Sequence, residues 1–136
     1  MSRRSRAREV VLQVLYQDDL NPGHSLQSTD EFLRKRLHNN KEIIEFANSL
    51  LSGTRRNRPE LDEMLTSRAS NWSLNRMAAT DRNLLRMAAF EILFTDTPNR
   101  VVINEAVELA KRYGSKQSAQ FVNGILDSLQ PDKKKT

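Results

Sequence analysis

Residues 80–95, TDRNLLRMAAFEILFT, are apolar on almost every side of a helical projection, and no other stretch limits the fold so strongly. Leu84, Leu85, Met87, Ala88, Ala89, Phe90, Ile92, Leu93 and Phe94 leave only a narrow polar stripe at Arg82, Asn83 and Arg86. A helix of that pattern has to be surrounded by other elements. Thr80 or Asp81 can cap its start through a side-chain oxygen, and Pro98, with no N–H to donate, forbids continuation beyond Thr97. Glu91 stands in the apolar half. Its carboxylate must reach a cation, an orphan backbone N–H or water, because an unpaired buried charge is too costly.

The rest of the chain supplies helices with single apolar stripes, the wall around this post. Only four Gly and four Pro among 136 residues favour helix over a turn-rich sheet. Over residues 3–20, Ala7, Val11, Val14 and Leu15 share one face, and Asn21-Pro22-Gly23 ends the helix. Ser28 and Glu31 form a capping box for a second helix that carries Phe32, Leu33 and Leu37 inward and stops near His38-Asn39-Asn40. Asn40 can cap a third, with Ile43, Ile44, Ala47, Leu50 and Leu51 inward; Gly53 marks its weak end or a close neighbour. Arg55, Arg56 and Arg58 fall in a short connector, and Pro59 suits the first turn of a fourth helix with Leu61, Met64, Leu65 and Ala69 as its stripe. Trp72, Leu74 and Met77 anchor the approach to the central helix. Beyond it, Ile103, Ala106, Val107 and Ala110 form a face that ends at Tyr113, with Gly114 as a left-handed stop. Val122, Ile125, Leu126 and Leu129 make the last stripe. The expected fold is a compact all-α bundle over residues 1–130, followed by a disordered basic tail, PDKKKT, at 131–136.

Several chemistries are missing from this pattern. The chain has no cysteine, and His24 and His38 stand in or beside loops without helical spacing to acids, so no metal ligand set, cofactor site or catalytic dyad is suggested. No glycine-rich phosphate loop follows a strand. Asp18-Asp19 and Asp62-Glu63 are adjacent in sequence, point to different helix sides and read as solvated faces. A catalytic function is not expected. The arginines ahead of the first apolar run look superficially like an export signal, but Glu9 and Gln13 interrupt the run and Asp18-Asp19 follow it. A cytoplasmic protein without a membrane partner is expected.

Net charge is +5, and its placement is informative. On the first helix Arg6, Glu9, Gln13 and Tyr16 line up at spacings of three, four and three, flanked by Arg3, Arg4 and Arg8. A solvated charged face is one account of the cluster. Yet arginines in a first turn oppose the positive end of the helix dipole, at a few tenths of a kcal/mol each, where Asp or Glu would stabilise. Tyr16 adds an aromatic ring. Cations for phosphate beside a ring for bases suit single-stranded nucleic acid.

RRSRAREVVLQVLY at the start, LRMAAFEIL in the central helix, and VVINEAVELAKRYG with FVNGILD at the end resemble, in the right order over nearly the whole chain, the NusB family of bacterial transcription antitermination factors. The resemblance implies about seven helices in two packed halves. It implies binding to the boxA sequence of ribosomal RNA leader transcripts as single-stranded RNA. It also implies a heterodimer with NusE, a ribosomal small-subunit protein, in the RNA polymerase elongation complex with other Nus factors. In the family the RNA surface is the arginine-rich first helix plus the start of the last, which here means Arg3, Arg4, Arg6, Arg8, Gln13, Tyr16, Lys116, Ser118, Gln120 and Phe121. Asp81 marks the region where the RNA and NusE surfaces adjoin. NusB-like domains also precede the catalytic domain of a ribosomal RNA cytosine methyltransferase; this length leaves no room for a methyl-donor site and fits the stand-alone factor. Two other readings stay open: a docking adaptor whose basic helix is incidental, and a helix-turn-helix protein that reads duplex DNA.

Overall fold

A computed structural model describes residues 2–23, 26–69 and 73–129, and these form seven α-helices with no strand among them. The order is α1 (Arg3–Leu20), α2 (Leu26–Arg36), α3 (Lys41–Arg56), α4 (Arg58–Arg68), a 3-10 turn at Leu74–Arg76, α5 (Ala79–Phe94), α6 (Asn99–Tyr113) and α7 (Ser118–Ser128). Helices α1, α2 and α3 pack together as one half and α4 to α7 as the other; the seam is closed by α5 lying against α1 and α3. His24, Trp72 and the 131–136 tail lie outside the described residues. Among those that are described, no helix is long and apolar enough to cross a membrane, and no group of His, Asp and Glu could hold a metal ion.

Local chemistry sets most of the boundaries. The Ser2 hydroxyl accepts from the Ser5 N–H at 3.1 Å and caps α1; the Asn40 side chain accepts from the Ile43 N–H at 3.2 Å and caps α3. Between them, His38 and Asn39 turn the chain through the left-handed region at φ 53° and 55°. Pro59 occupies the first turn of α4, where its missing N–H costs nothing. Other boundaries depart from expectation. Helix α2 begins at Leu26, so Ser28 lies inside its first turn and not ahead of the helix. Arg55 and Arg56 complete α3, leaving Asn57 alone between α3 and α4. Neither Thr80 nor Asp81 caps α5, which starts from Ala78. It ends at Phe94, where the Thr95 hydroxyl donates to the Glu91 carbonyl at 2.6 Å, and Pro98 precedes α6. Gly114 is extended at φ −103°, not left-handed.

Two helices, not one, are surrounded. Alongside α5, α1 buries Ala7, Arg8, Glu9, Val10, Val11, Leu12, Val14 and Leu15, so it has almost no solvated side through its middle. Most of the charges inside are tolerated because they are paired. Glu91 accepts two bonds from Arg8, Nε to Oε1 at 2.8 Å and Nη2 to Oε2 at 2.6 Å, and Arg8 Nη1 reaches Glu105 at 3.1 Å. The polar stripe of α5 is likewise internal. Arg82 and Asn83 donate to Asp19 at the end of α1 (2.8 and 2.9 Å), Arg86 holds Asp62 of α4 (2.6 and 3.0 Å), and Arg55 holds Asp18 (2.7 and 2.8 Å). Three of the acids expected on solvated faces, Asp18, Asp19 and Asp62, are therefore ties between helices, while Glu63 is exposed as expected. Burial works to raise the Asp19 carboxyl, but the bonds from Arg82 and Asn83 outweigh it and hold the group below the usual carboxylate range.

Gly124 lies exposed inside α7, and a Cβ built there meets nothing within 4 Å. Gly124→Ala should accordingly stabilise the fold by about 0.5 to 1 kcal/mol, through helix propensity alone. A urea midpoint that fails to rise would show that the site is not open helix.

Candidate nucleic-acid interface

The first turns of α1 carry their arginines in three different directions. Arg3 is exposed. Arg4, also exposed, turns toward α3, with its guanidinium 4.6 Å from the Phe46 ring centroid. Arg6 is half-exposed and donates to Glu9 at 2.8 Å. Arg8 points inward; only 3 % of it is exposed and its donors are spent on Glu91 and Glu105, so its expected place on the RNA surface is overturned in favour of a core ion pair.

One turn further along α1, Gln13 and Tyr16 line a groove of about 560 Å³. Its other walls are Phe32 and Arg36 of α2, Thr80 at the start of α5 and Tyr113 at the end of α6. Arg36 Nη1 donates to Gln13 Oε1 at 2.8 Å and its guanidinium lies 5.2 Å from the Phe32 ring centroid. Three rings, an amide and a cation thus surround an open, largely apolar space. Flat aromatic walls with few polar groups accept a planar heterocycle or an apolar side chain.

Glu9, expected on the solvated line of α1, is almost fully buried beside this groove. Its carboxylate accepts from Arg6, from Arg112 Nη1 at 2.7 Å and from the Tyr113 hydroxyl. Burial works to raise the Glu9 carboxyl, but the three donors outweigh it, led by Tyr113, and hold it below the usual range; the Tyr113 phenol is pushed up, by burial first and by Glu9 next.

At the other patch, Lys116 and Gln120 are exposed and Phe121 is half-buried, packed on the core. Ser118 is different. It is 2 % exposed, its hydroxyl accepts from the Ser115 N–H at 2.9 Å and donates to Asp81 Oδ2 at 2.9 Å. Ser118 is therefore a tie between the starts of α7 and α5, not a surface contact, because a buried hydroxyl has to spend its bonds within the protein. Asp81, nearly buried, has no partner within the described residues for its Oδ1.

The structure thus gathers Arg6, Gln13 and Tyr16 on one side with Arg112 and Arg36, which the sequence did not mark, and with Phe32 and Tyr113, which it marked only as packing residues. Arg112-Tyr113 repeats the basic-aromatic pairing of the first helix and was readable as such. Phe32 and Arg36 carried no signal of their own, since their position depends on how α2 folds back on α1.

Comparison with known proteins gives consistent findings. The NusB family model matches residues 5–131. The transcription antitermination protein NusB of Anaeromyxobacter dehalogenans is 45% identical over 128 residues, spanning 94% of this chain and 90% of the relative. Among solved structures, T. maritima NusB superposes with a TM-score of 0.85 at 36% identity, covering 98% of this chain and 93% of that one. A crystal structure of antitermination factors NusB and NusE in complex with dsRNA superposes with a TM-score of 0.84 at 28% identity, covering 97% and 98%.

Proposed function

The chain belongs to the NusB family, which is non-enzymatic, and from that membership we propose that it binds boxA RNA of ribosomal RNA leader transcripts together with NusE, supporting transcription antitermination. The setting is the cytoplasmic RNA polymerase elongation complex with other Nus factors. The observation that carries this reading is the groove: the basic start of α1 leads directly into walls made by Tyr16, Phe32 and Tyr113. Phosphate is neutralised by the arginines while unstacked bases meet rings, which favours a single strand over a duplex.

The test is a fluorescence titration of boxA-like RNA, scrambled RNA and the same sequence as a duplex, across salt, with and without NusE. If Arg3, Arg4, Arg6 and Lys116 supply about four phosphate contacts, log K for the single strand should fall with log salt at a slope near −3, about −0.7 per contact. Tyr16→Ala should leave that slope intact and cost about 1 to 3 kcal/mol if the ring stacks on a base. NusE should tighten boxA binding, and boxA must tighten NusE binding by the same factor. Equal affinity for scrambled RNA with NusE present would instead leave a docking adaptor without its own readout.

A further inference from the structure

The RNA surface expected from the sequence consists of two patches on different helices, α1 and the start of α7. The end of α6 joins them. Arg112 and Tyr113 lie there, just before the loop that carries Lys116, and both are bonded back to Glu9 of α1. We propose that Arg112, held beside Arg6 by Glu9, completes a phosphate-binding subsite that bridges the two patches, with Glu9 as its positioning residue. The subsite rests on the RNA-binding reading above.

The charges argue for it. Glu9 is ionised, so Arg6, Glu9 and Arg112 sum to a single positive charge. A surface selected only for attraction to a polyanion would have no acid in its middle. As a fixing point the acid makes sense: its two oxygens each take one Nη1, from Arg6 at 2.8 Å and Arg112 at 2.7 Å, which pins two long side chains on different helices next to each other. A guanidinium has five N–H donors, and each arginine gives Glu9 only Nη1, with Arg112 also bonded to the Tyr113 hydroxyl. The remaining donors lie on side chains that are 42% and 44% exposed. Arginine forks held in advance lose less rotamer freedom when they take a phosphate oxygen. Tyr113, on the same carboxylate, forms a wall of the aromatic groove, so a phosphate at the arginines would place the adjoining base at the groove mouth. A purely structural role fits less well. A tie that served only to satisfy the buried Glu9 would not need two half-exposed cations, and Arg8, two residues from Arg6, shows what a structural arginine in this helix looks like: buried and fully engaged.

The experiment measures single-stranded boxA-like RNA binding across salt for Arg112→Ala, Arg112→Lys, Arg6→Ala, Glu9→Gln and Lys111→Ala, with a thermal melt of each. Arg112 is half-exposed but its partner Glu9 is buried, so the melts separate a loss of fold from a loss of the phosphate contact. Arg112→Ala should flatten the salt slope by about 0.7, the value of one single-strand phosphate, as Arg6→Ala does. Lys111, exposed and paired with Glu108 at 3.4 Å among the described residues, is the control of equal charge; its loss should leave the slope unchanged. Arg112→Lys should keep the slope and lose affinity, because the charge remains while the fork is gone. Glu9→Gln makes the protein more positive, so diffuse attraction would tighten binding, whereas release of the two guanidiniums weakens it. Tighter binding by Glu9→Gln, or equal effects of Arg112→Ala and Lys111→Ala, would overturn the subsite. If Arg6→Ala still flattens the slope in that case, the RNA-binding reading stands without it. A wild-type protein that binds no RNA would overturn both.

Discussion

Arg8→Ala is expected to cost about 3 to 5 kcal/mol of folding free energy, a large share of a domain's total. The substitution removes the only cation that the described residues bring to Glu91, which is 1 % exposed, and it also takes a donor from Glu105. What is lost is less the attraction than the solvation: a carboxylate that cannot reach water is left with its charge uncompensated. Burial works to lower the Arg8 pKa, but the hydrogen bond and charge of Glu91 outweigh it and the guanidinium stays above its ordinary value. Replacing both, as Arg8→Met with Glu91→Leu, should recover most of the loss, because a buried pair exchanged for apolar groups of similar volume is often neutral. Urea denaturation of the two single variants and the double one measures this. An unshifted midpoint for Arg8→Ala would mean that Arg8 is a surface residue after all, and would return it to the RNA face.

That same pair shows where the sequence stops being readable. Arg6 and Arg8 are two residues apart on one helix, identical in type, and nothing local says which of them faces solvent. The answer depends on Glu91, 83 residues further on, whose need for a cation was evident while the identity of the cation was not. Ser118 and Asp81 form a similar distant tie, 37 residues apart, and it draws one expected surface residue inward and leaves Oδ1 of the other without a partner among the described residues. Glu9 followed its neighbours onto a solvated line because helical spacing sorts residues by angle only; that angle faces the end of α6, which covers it. By contrast, the features set by apolar period or by a neighbour three residues away were legible. The all-round apolar run of α5, the stripes of α3 and α7, and the Asn40 cap needed no knowledge of the rest of the chain. The family too was legible, since it is carried by contiguous motifs at both ends.

The seam between the two halves offers a sharper test of packing, because the same Gly→Ala substitution should act with opposite sign at two helical positions. At Gly124 the added methyl meets open space and helix propensity favours it. At Gly53, in α3, the added Cβ would stand 2.0 Å from Cζ of Phe90 on α5, so the ring must move or the helices must part. Overpacking of this kind costs about 1 to 3 kcal/mol, more than propensity returns. Phe90 is half-buried and stacks on Phe94 with centroids 5.4 Å apart, which puts Phe90→Ala at the low end of the range for a core ring, about 3 kcal/mol. The two changes, Gly53→Ala and Phe90→Ala, should not add. With the ring gone, the methyl introduced by Gly53→Ala occupies space that the ring has left, so the double variant should be more stable than the sum of the singles predicts by about 1 kcal/mol or more. A double-mutant cycle by urea denaturation decides it: strict additivity would mean that Phe90 is not seated on Gly53, and that the approach of α3 to α5, and with it the joining of the two halves, is set by other residues.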